Sequence, residues 1–284
     1  MQDKNRKMAA GDQRKSKIHW SSKMNGMKRT ILEDLLEKLS DDAPVRSVLV
    51  GAHWTVVCSR FCGLASTVLE EKPHDHARVR VRDAGCLHLK RARELAEYAR
   101  SDNPAEAGIG VAAINSLLQI DERYAAEINA AEVLIKHGRG RHVAVVGHFP
   151  FIPRLRNVTG QLWVIEKCPE EGEYPATAAA DLIPRAEVVA LTGSALINHT
   201  LDGLLSLCRP GATVVVLGPS TPLSPVLFDH GATIISGARV VDEEMVVRTV
   251  GQGATFQQVQ GARLLTLVRE HYLSDDLLPE ASRL

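Results

Sequence analysis

Three short runs, Val143–Val146, Val188–Leu191 and Val214–Leu217, are apolar at every position, and nothing else in the sequence constrains the fold as strongly. A strand with one wet face alternates apolar and polar residues. A strand apolar throughout needs cover on both faces, which a parallel sheet flanked by helices provides. The surrounding rhythm is β-α-β-α. Strands are expected at His142–Val146, Leu162–Ile165, Glu187–Leu191, Thr213–Leu217 and Thr233–Ile235. Helical stretches are expected near Pro153–Asn157, Ala176–Leu182, Asn198–Cys208 and Pro225–Asp229. The fold class is therefore α/β, with a doubly wound, Rossmann-like domain and a mostly parallel sheet over 126–272. The stretch Asp121–Arg141 reads as a crossing helix and linker, with Gly138 and Gly140 marking the boundary.

The preceding segment, 30–125, reads differently. Thr30 and Glu33 fit a capping box, followed by Ile31, Leu32, Leu35, Leu36 and Leu39 at helical spacing. Arg46–Val50, Thr55–Cys58 and Leu64–Val68 are β-rich runs with short separators at Gly51-Ala52 and Cys62-Gly63, as in an antiparallel meander. Lys72–Asp83 reads as a polar, His-containing loop with a short strand at Arg78–Val81. A helix is expected from about Leu87 to Arg100, with Leu89 on its apolar stripe. A second begins at Asn103 as N-cap, with Pro104 at its first position and Glu106 at its third. The small residues Gly108, Gly110, Ala112 and Ala113 imply close packing on a neighbour. The first domain is thus α+β.

Composition limits the function classes. Hydrophobic residues are 45% and charged residues 24% of 284, the ordinary range for a soluble globular chain. No run reaches the ~18 apolar residues of a membrane span, and residues 1–29 lack a signal-peptide core, so the expected location is cytoplasmic. Those 29 residues carry nine Lys/Arg against two Asp, a surplus of +7, and read as a basic, disordered leader. The rest of the chain carries −7, which disfavours duplex nucleic acid as a partner. Residues 273–284 read as a C-terminal tail. Aromatics are 4%, little raw material for a base-stacking surface. Five cysteines, an odd number, do not read as a disulfide framework.

In an open α/β sheet, ligands lie beyond the carboxyl ends of the strands. The residues there are Gly147-His148-Phe149-Pro150, Glu166-Lys167, Thr192-Gly193-Ser194 with Asn198, Gly218-Pro219-Ser220-Thr221, and Ser236-Gly237. Gly, Ser and Thr at such edges permit close backbone approach and hydroxyl contacts, although they also form loops for purely local reasons. His148 is the candidate general acid/base, since imidazole titrates near neutrality. Glu166, 19 residues after Gly147, is the candidate to hold or orient a ligand. Gly147, Phe149, Thr192, Gly193, Ser194, Asn198, Gly218, Ser220 and Ser236 are the candidate ligand-binding residues, with Asn198 also the expected N-cap of its helix. Whether His53 converges with His148 on an interdomain cleft is left open by the sequence. Only Gly147 stands where G-x-G-x-x-G requires three glycines, so NAD and NADP are not expected. Cys58-x3-Cys62 and His74-x-His76 are isolated pairs that do not complete a tetrahedral metal set.

Four segments resemble the DUF364 heavy-metal chelation family: NPAEAGIGVAAINSLL (Asn103–Leu118), VVGHFPFIPRL (Val145–Leu155), TAAADLIPRAEVVALTGSALINHTLDGLL (Thr177–Leu205) and LGPSTPLSPVLFDHG (Leu217–Gly231). The resemblance runs from about Thr30 to Arg269. It implies an enolase N-terminal-like domain of the DUF4213 type, then a Rossmann-like domain, with a site between them. It further implies a small-molecule partner of the pterin, flavin or siderophore kind, and a heavy-metal ion or metal chelate as the cofactor class. Two readings follow. One is an enzyme acting on a metal-chelating heterocycle in the cleft; the other is a carrier that holds a metal or chelate without turnover.

Overall fold

The structure, a computed structural model, describes residues 29–68, 81–120 and 125–268. The leader before Arg29, most of the polar loop with His74 and His76, and the C-terminal tail lie outside the described residues. Arg29, the last residue assigned to the leader, is paired with Asp34 and Glu37 of the first helix.

That helix, α1 (Ile31–Lys38), starts with the expected capping box: Thr30 Oγ1 accepts from the Glu33 amide and Glu33 accepts from the Thr30 amide. Strands β1 (Ser47–Val50), β2 (Trp54–Cys58) and β3 (Cys62–Ser66) form the antiparallel meander, in sequence order. Cys62 and Gly63 belong to β3 rather than to a separator. The backbone of helix α3 (Pro104–Leu117) crosses β3 so closely that a Cβ on Gly63 would lie 2.0 Å from the Ala112 carbonyl oxygen. Asn103 caps α3 through the Ala105 amide as expected. The expected single helix over 87–100 is not formed. A 3-10 turn at Leu87–Leu89, helix α2 (Ala92–Ala96) and a second 3-10 turn at Glu97–Arg100 replace it. The break falls where Arg91 bridges Pro44, and Leu89 is 73% exposed.

The second sheet contains β4 (Ala125–Ala126), β5 (His142–Val146), β6 (Gln161–Glu166), β7 (Tyr174–Pro175), β8 (Val188–Thr192), β9 (Thr213–Leu217), β10 (Ile234–Val240) and β11 (Ala262–Val268). Its order is β4-β11-β10-β9-β8-β5-β6-β7, and every pair from β10 to β7 is parallel. β11 runs antiparallel to β10, and β4 antiparallel to β11. Helices α4 (Ala130–Gly138), α5 (Ile152–Arg156), α6 (Ala179–Leu182), α7 (Leu201–Ser206), α8 (Val226–Asp229) and α9 (Glu243–Gly251) complete the α/β alternation.

Both faces of this sheet are dry, which explains the uninterrupted apolar runs. Val143, Val145, Val188 and Val215 pack with Val133, Leu134 and Leu155 on one side. Ala144, Val189, Val214 and Val216 pack with Ile183, Leu201 and Leu227 on the other, in a core that continues into Ile31, Leu35 and Ile114. The two sheets therefore share one core. Polar contacts reinforce the junction: Asp202 accepts from the Ile31 amide at 3.0 Å, and His230 Nε2 lies 2.7 Å from Asp34 Oδ2.

Candidate functional site at the carboxyl edge of the parallel sheet

Chain direction along the sheet reverses between β5 and β8, which are neighbours although β6 and β7 intervene in sequence. At such a switch point the loops leave in opposite directions and open a crevice. A cavity of about 800 Å³ occupies it. Gly147 and Gly218 shape its floor in the same way. Each follows a strand with φ above +110°, and each donates its amide to the next strand, to Ile165 O and Ser236 O respectively, at 3.1 Å. That backbone conformation favours glycine.

Of the sequence candidates, Gly147, His148, Phe149, Glu166, Thr192, Ser194, Asn198, Gly218, Ser220 and Ser236 all line the cavity. His148 Nδ1 lies 3.0 Å from Glu173 Oε1, and Glu173 Oε2 accepts from the Glu170 amide at 3.0 Å. Thr192 Oγ1 and Ser194 Oγ are hydrogen-bonded at 2.8 Å. Glu166, at the end of β6, accepts from the Lys167 amide at 2.9 Å; Lys167 and Arg154 also line the cavity, Arg154 being ion-paired with Glu132 at 2.8 Å.

Three assignments change. Gly193 does not line the cavity; it packs on Thr221, whose Oγ1 would lie 2.2 Å from an added Cβ, so its smallness serves packing. Asn198 does not cap α7. Its amide donates to Ser194 O, Thr200 is the residue before the helix, and His199 between them has φ +55°. Ser236 is not beyond a strand end but inside β10, which continues to Val240 because β11 pairs with it. His53 is exposed and outside the cavity lining, whereas its neighbour Trp54 lines it.

The first sheet supplies a wall that the strand-edge rule does not reach. Trp54 and Ser66, register partners across β2 and β3, both line the cavity. Ser220 Oγ accepts from the Ser66 amide at 2.8 Å and shares a hydrogen bond with Ser66 Oγ at 2.9 Å. The cavity is also aromatic. Phe149 and Phe151 stack with centroids 5.1 Å apart, and Trp54 meets Phe256 edge-on at 5.5 Å. Four of the chain's twelve aromatic residues (three Trp, four Tyr, five Phe) thus converge on one cavity. Low overall aromatic content is a poor guide when the few present are concentrated.

The cysteine reading is also corrected. Cys58 and Cys62 are joined by a disulfide across the tip of the β2–β3 hairpin, with Cα atoms 4.1 Å apart, whereas Cys86, Cys168 and Cys208 are free. Antiparallel pairing makes these two residues direct neighbours. Among the described residues, the grouping of three metal-ligating side chains within 4.8 Å of one another is Cys58, Cys62 and Glu243, and none of them lines the cavity. No helix among the described residues is long and apolar enough to cross a membrane.

Fold and site together define a mixed α/β protein with a ligand-sized cavity at the carboxyl edge of a mostly parallel sheet, walled by a second, smaller sheet. The DUF4213 family matches residues 32–118 and the DUF364 family residues 129–269, both under the description "Putative heavy-metal chelation". The chain belongs to the DUF364 family. A crystal structure of a DUF364-family protein of unknown function from Desulfitobacterium hafniense DCB-2 is similar, with 28% identity, TM-score 0.74, and coverage of 84% of this chain and 98% of that one. A DUF364-family protein from Pyrococcus horikoshii shares the fold at 22% identity and TM-score 0.71, over 84% of this chain and 98% of its own. An uncharacterised protein of Methanocaldococcus jannaschii is 28% identical over 189 residues, 63% of this chain and 70% of that protein.

Proposed function

We propose that the cavity binds one planar, metal-chelating heterocycle, of the pterin, flavin or aromatic siderophore kind, and that His148 acts on it as general acid/base. The observation that carries this reading is the convergence of two aromatic pairs, Phe149–Phe151 and Trp54–Phe256, on a cavity of about 800 Å³ with a polar rim. Aromatic walls favour flat ligands through stacking, and a few placed polar groups fix their orientation. Thr192, Ser194 and Glu166 supply such groups, and His148 with its Glu173 partner supplies a positioned base. The metal enters as part of the ligand, because the cluster of three metal-ligating side chains lies elsewhere. On this reading the eight-stranded unit is Rossmann-like and the preceding unit enolase N-terminal-like, in keeping with the switch point and with the meander followed by helices.

The test is tryptophan fluorescence and thermal melting with a reduced pterin, FMN, a catecholate siderophore and, as a non-planar control, a hydroxamate siderophore, each with and without ferric iron. One class should quench Trp54 saturably and stabilise the fold, by about 2.7 kcal/mol at a hundredfold excess over Kd. The quench should vanish in Trp54→Phe. Binding restricted to a non-planar hydroxamate chelate, or quenching that survives Trp54→Phe, overturns the reading.

A further inference from the structure

The strongest cluster of ligating groups outside the cavity sits at the far end of the same hairpin. Cys58 and Cys62 face Val56, Leu64, Val246 and Val250 in a small apolar core, and Cys58 is fully buried. Glu243, the first residue of α9, brings a carboxylate oxygen within 4.8 Å of both sulfurs from the solvent side. Arg46 holds that carboxylate in an ion pair.

We propose that Cys58, Cys62 and Glu243 form a site for one thiophilic divalent cation, open only when the cysteine pair is reduced. The proposal does not depend on what the cavity binds. An external dithiol reduces the Cys58–Cys62 bond, becoming a disulfide itself and leaving two thiols. The cation then replaces the two thiol protons, which go to solvent, and two sulfur–metal bonds form.

Three physical arguments support it. Metal–sulfur bonds are about 2.3 Å, so ligand atoms around one ion lie no more than about 4.6 Å apart; the two sulfurs and the Glu243 carboxylate already lie within 4.8 Å of one another, and reduction frees the sulfurs to separate around an ion. Two thiolates and a carboxylate carry three negative charges, which a divalent cation and the Arg46 guanidinium balance. The apolar wall keeps water from the sulfur side, and this makes an uncompensated thiolate pair costly and a metal-bound one favourable. Sulfur donors select soft ions such as cadmium, mercury or zinc over calcium and magnesium. The site also has a route to the cavity: β2 runs from Cys58 to Trp54, about 13 Å at a strand's rise.

The experiment uses the full chain with Cys86→Ser and Cys168→Ser, which removes the two exposed thiols. Cys208 stays, since burial pushes its thiol up to about 12 and out of competition. The protein is reduced with a phosphine, freed of it under inert gas, and titrated with cadmium chloride. A sulfur-to-cadmium charge-transfer band should rise to one equivalent, with one cadmium per chain by native mass spectrometry, and the oxidised protein should show neither. Glu243→Gln should weaken binding at least about tenfold. The comparison of reduced with oxidised protein keeps both site cysteines and so needs no variant of Cys58 or Cys62. Absence of the band in the reduced protein, an equal band after Cys58→Ser with Cys62→Ser, or unchanged affinity in Glu243→Gln would each overturn the proposal.

Discussion

The His148 imidazole and the Glu173 carboxylate meet at 3.0 Å, and their exposures are opposite: 57% for the histidine side chain and 6% for the glutamate. A carboxylate only accepts, so Nδ1 is the donor in this contact. The enclosed partner orients the open one. His148→Ala should therefore melt close to wild type, while on the proposed function turnover falls roughly 10²–10⁴-fold, the range for loss of a general acid/base. Glu173→Gln keeps the shape and should fall between wild type and His148→Ala. Full turnover in His148→Ala would remove this residue from the chemistry.

Glycine substitutions separate packing from backbone conformation. A Cβ on Gly110 would lie 1.9 Å from the Ala99 amide nitrogen and 2.5 Å from its Cα, so the helix and the turn at 97–100 touch through backbone. Gly218 has open space around the missing Cβ but a φ of +112°. Gly110→Ala should cost about 1–3 kcal/mol or more by overpacking, and Gly218→Ala about 1–2 kcal/mol by backbone strain. Denaturant melts of both decide the order. A smaller loss at Gly110 than at Gly218 would contradict the close approach.

Half-buried His137 and buried Glu106 both contribute to the acid limb of stability. His137 is held below its ordinary value by burial first, then by Arg141 and Lys136. Burial alone would raise the Glu106 carboxyl, but hydrogen bonds from Ser101 and from the Arg82 amide and side chain, with the Arg82 charge, hold it below its ordinary value. Both folded values lie below the unfolded ones, so each contribution is present at higher pH and lost as pH falls. His137 should erode stability below about pH 6.5, and Glu106 below about pH 4.3. Melts across this range should show both windows. His137→Gln should flatten the upper one. Glu106→Gln should flatten the lower one and lower stability at neutral pH by roughly 1.5–3 kcal/mol. An unchanged profile in either variant would refute its assignment.

The apolar runs at Val143, Val188 and Val214 announced a sheet covered on both faces because burial on two sides leaves no polar alternation. The strand-end rule then led to the loops at Gly147, Thr192 and Gly218, since topology alone decides which end of a parallel sheet opens. What stayed hidden depends on distance in sequence. Glu173 reaches His148 from a loop 25 residues later, and Trp54 comes from the other sheet. Cys58 and Cys62 become bonded only because the hairpin register sets them opposite. Leu89 kept helical spacing but left the core, because the Pro44–Arg91 bridge interrupts the helix.

The sequence places Ser220 among the ligand contacts, yet its hydroxyl is engaged with Ser66 across the junction of the two sheets. Asn115 strengthens the same junction, its Nδ2 donating to Leu64 O at 2.9 Å and Ser220 O at 3.3 Å. Ser220→Ala would leave the part-buried Ser66 amide without its acceptor, a loss of about 1–3 kcal/mol. Ligand affinity should fall only as far as the cavity wall loosens. Ser194→Ala is the counterpart, because its hydroxyl bonds Thr192 on the rim and joins no two sheets. That variant should melt near wild type and bind the ligand more weakly. Melting and binding measured on both variants distinguish a clamp from a contact. A Ser220→Ala protein of full stability that no longer binds ligand would show that this hydroxyl serves the ligand rather than the junction.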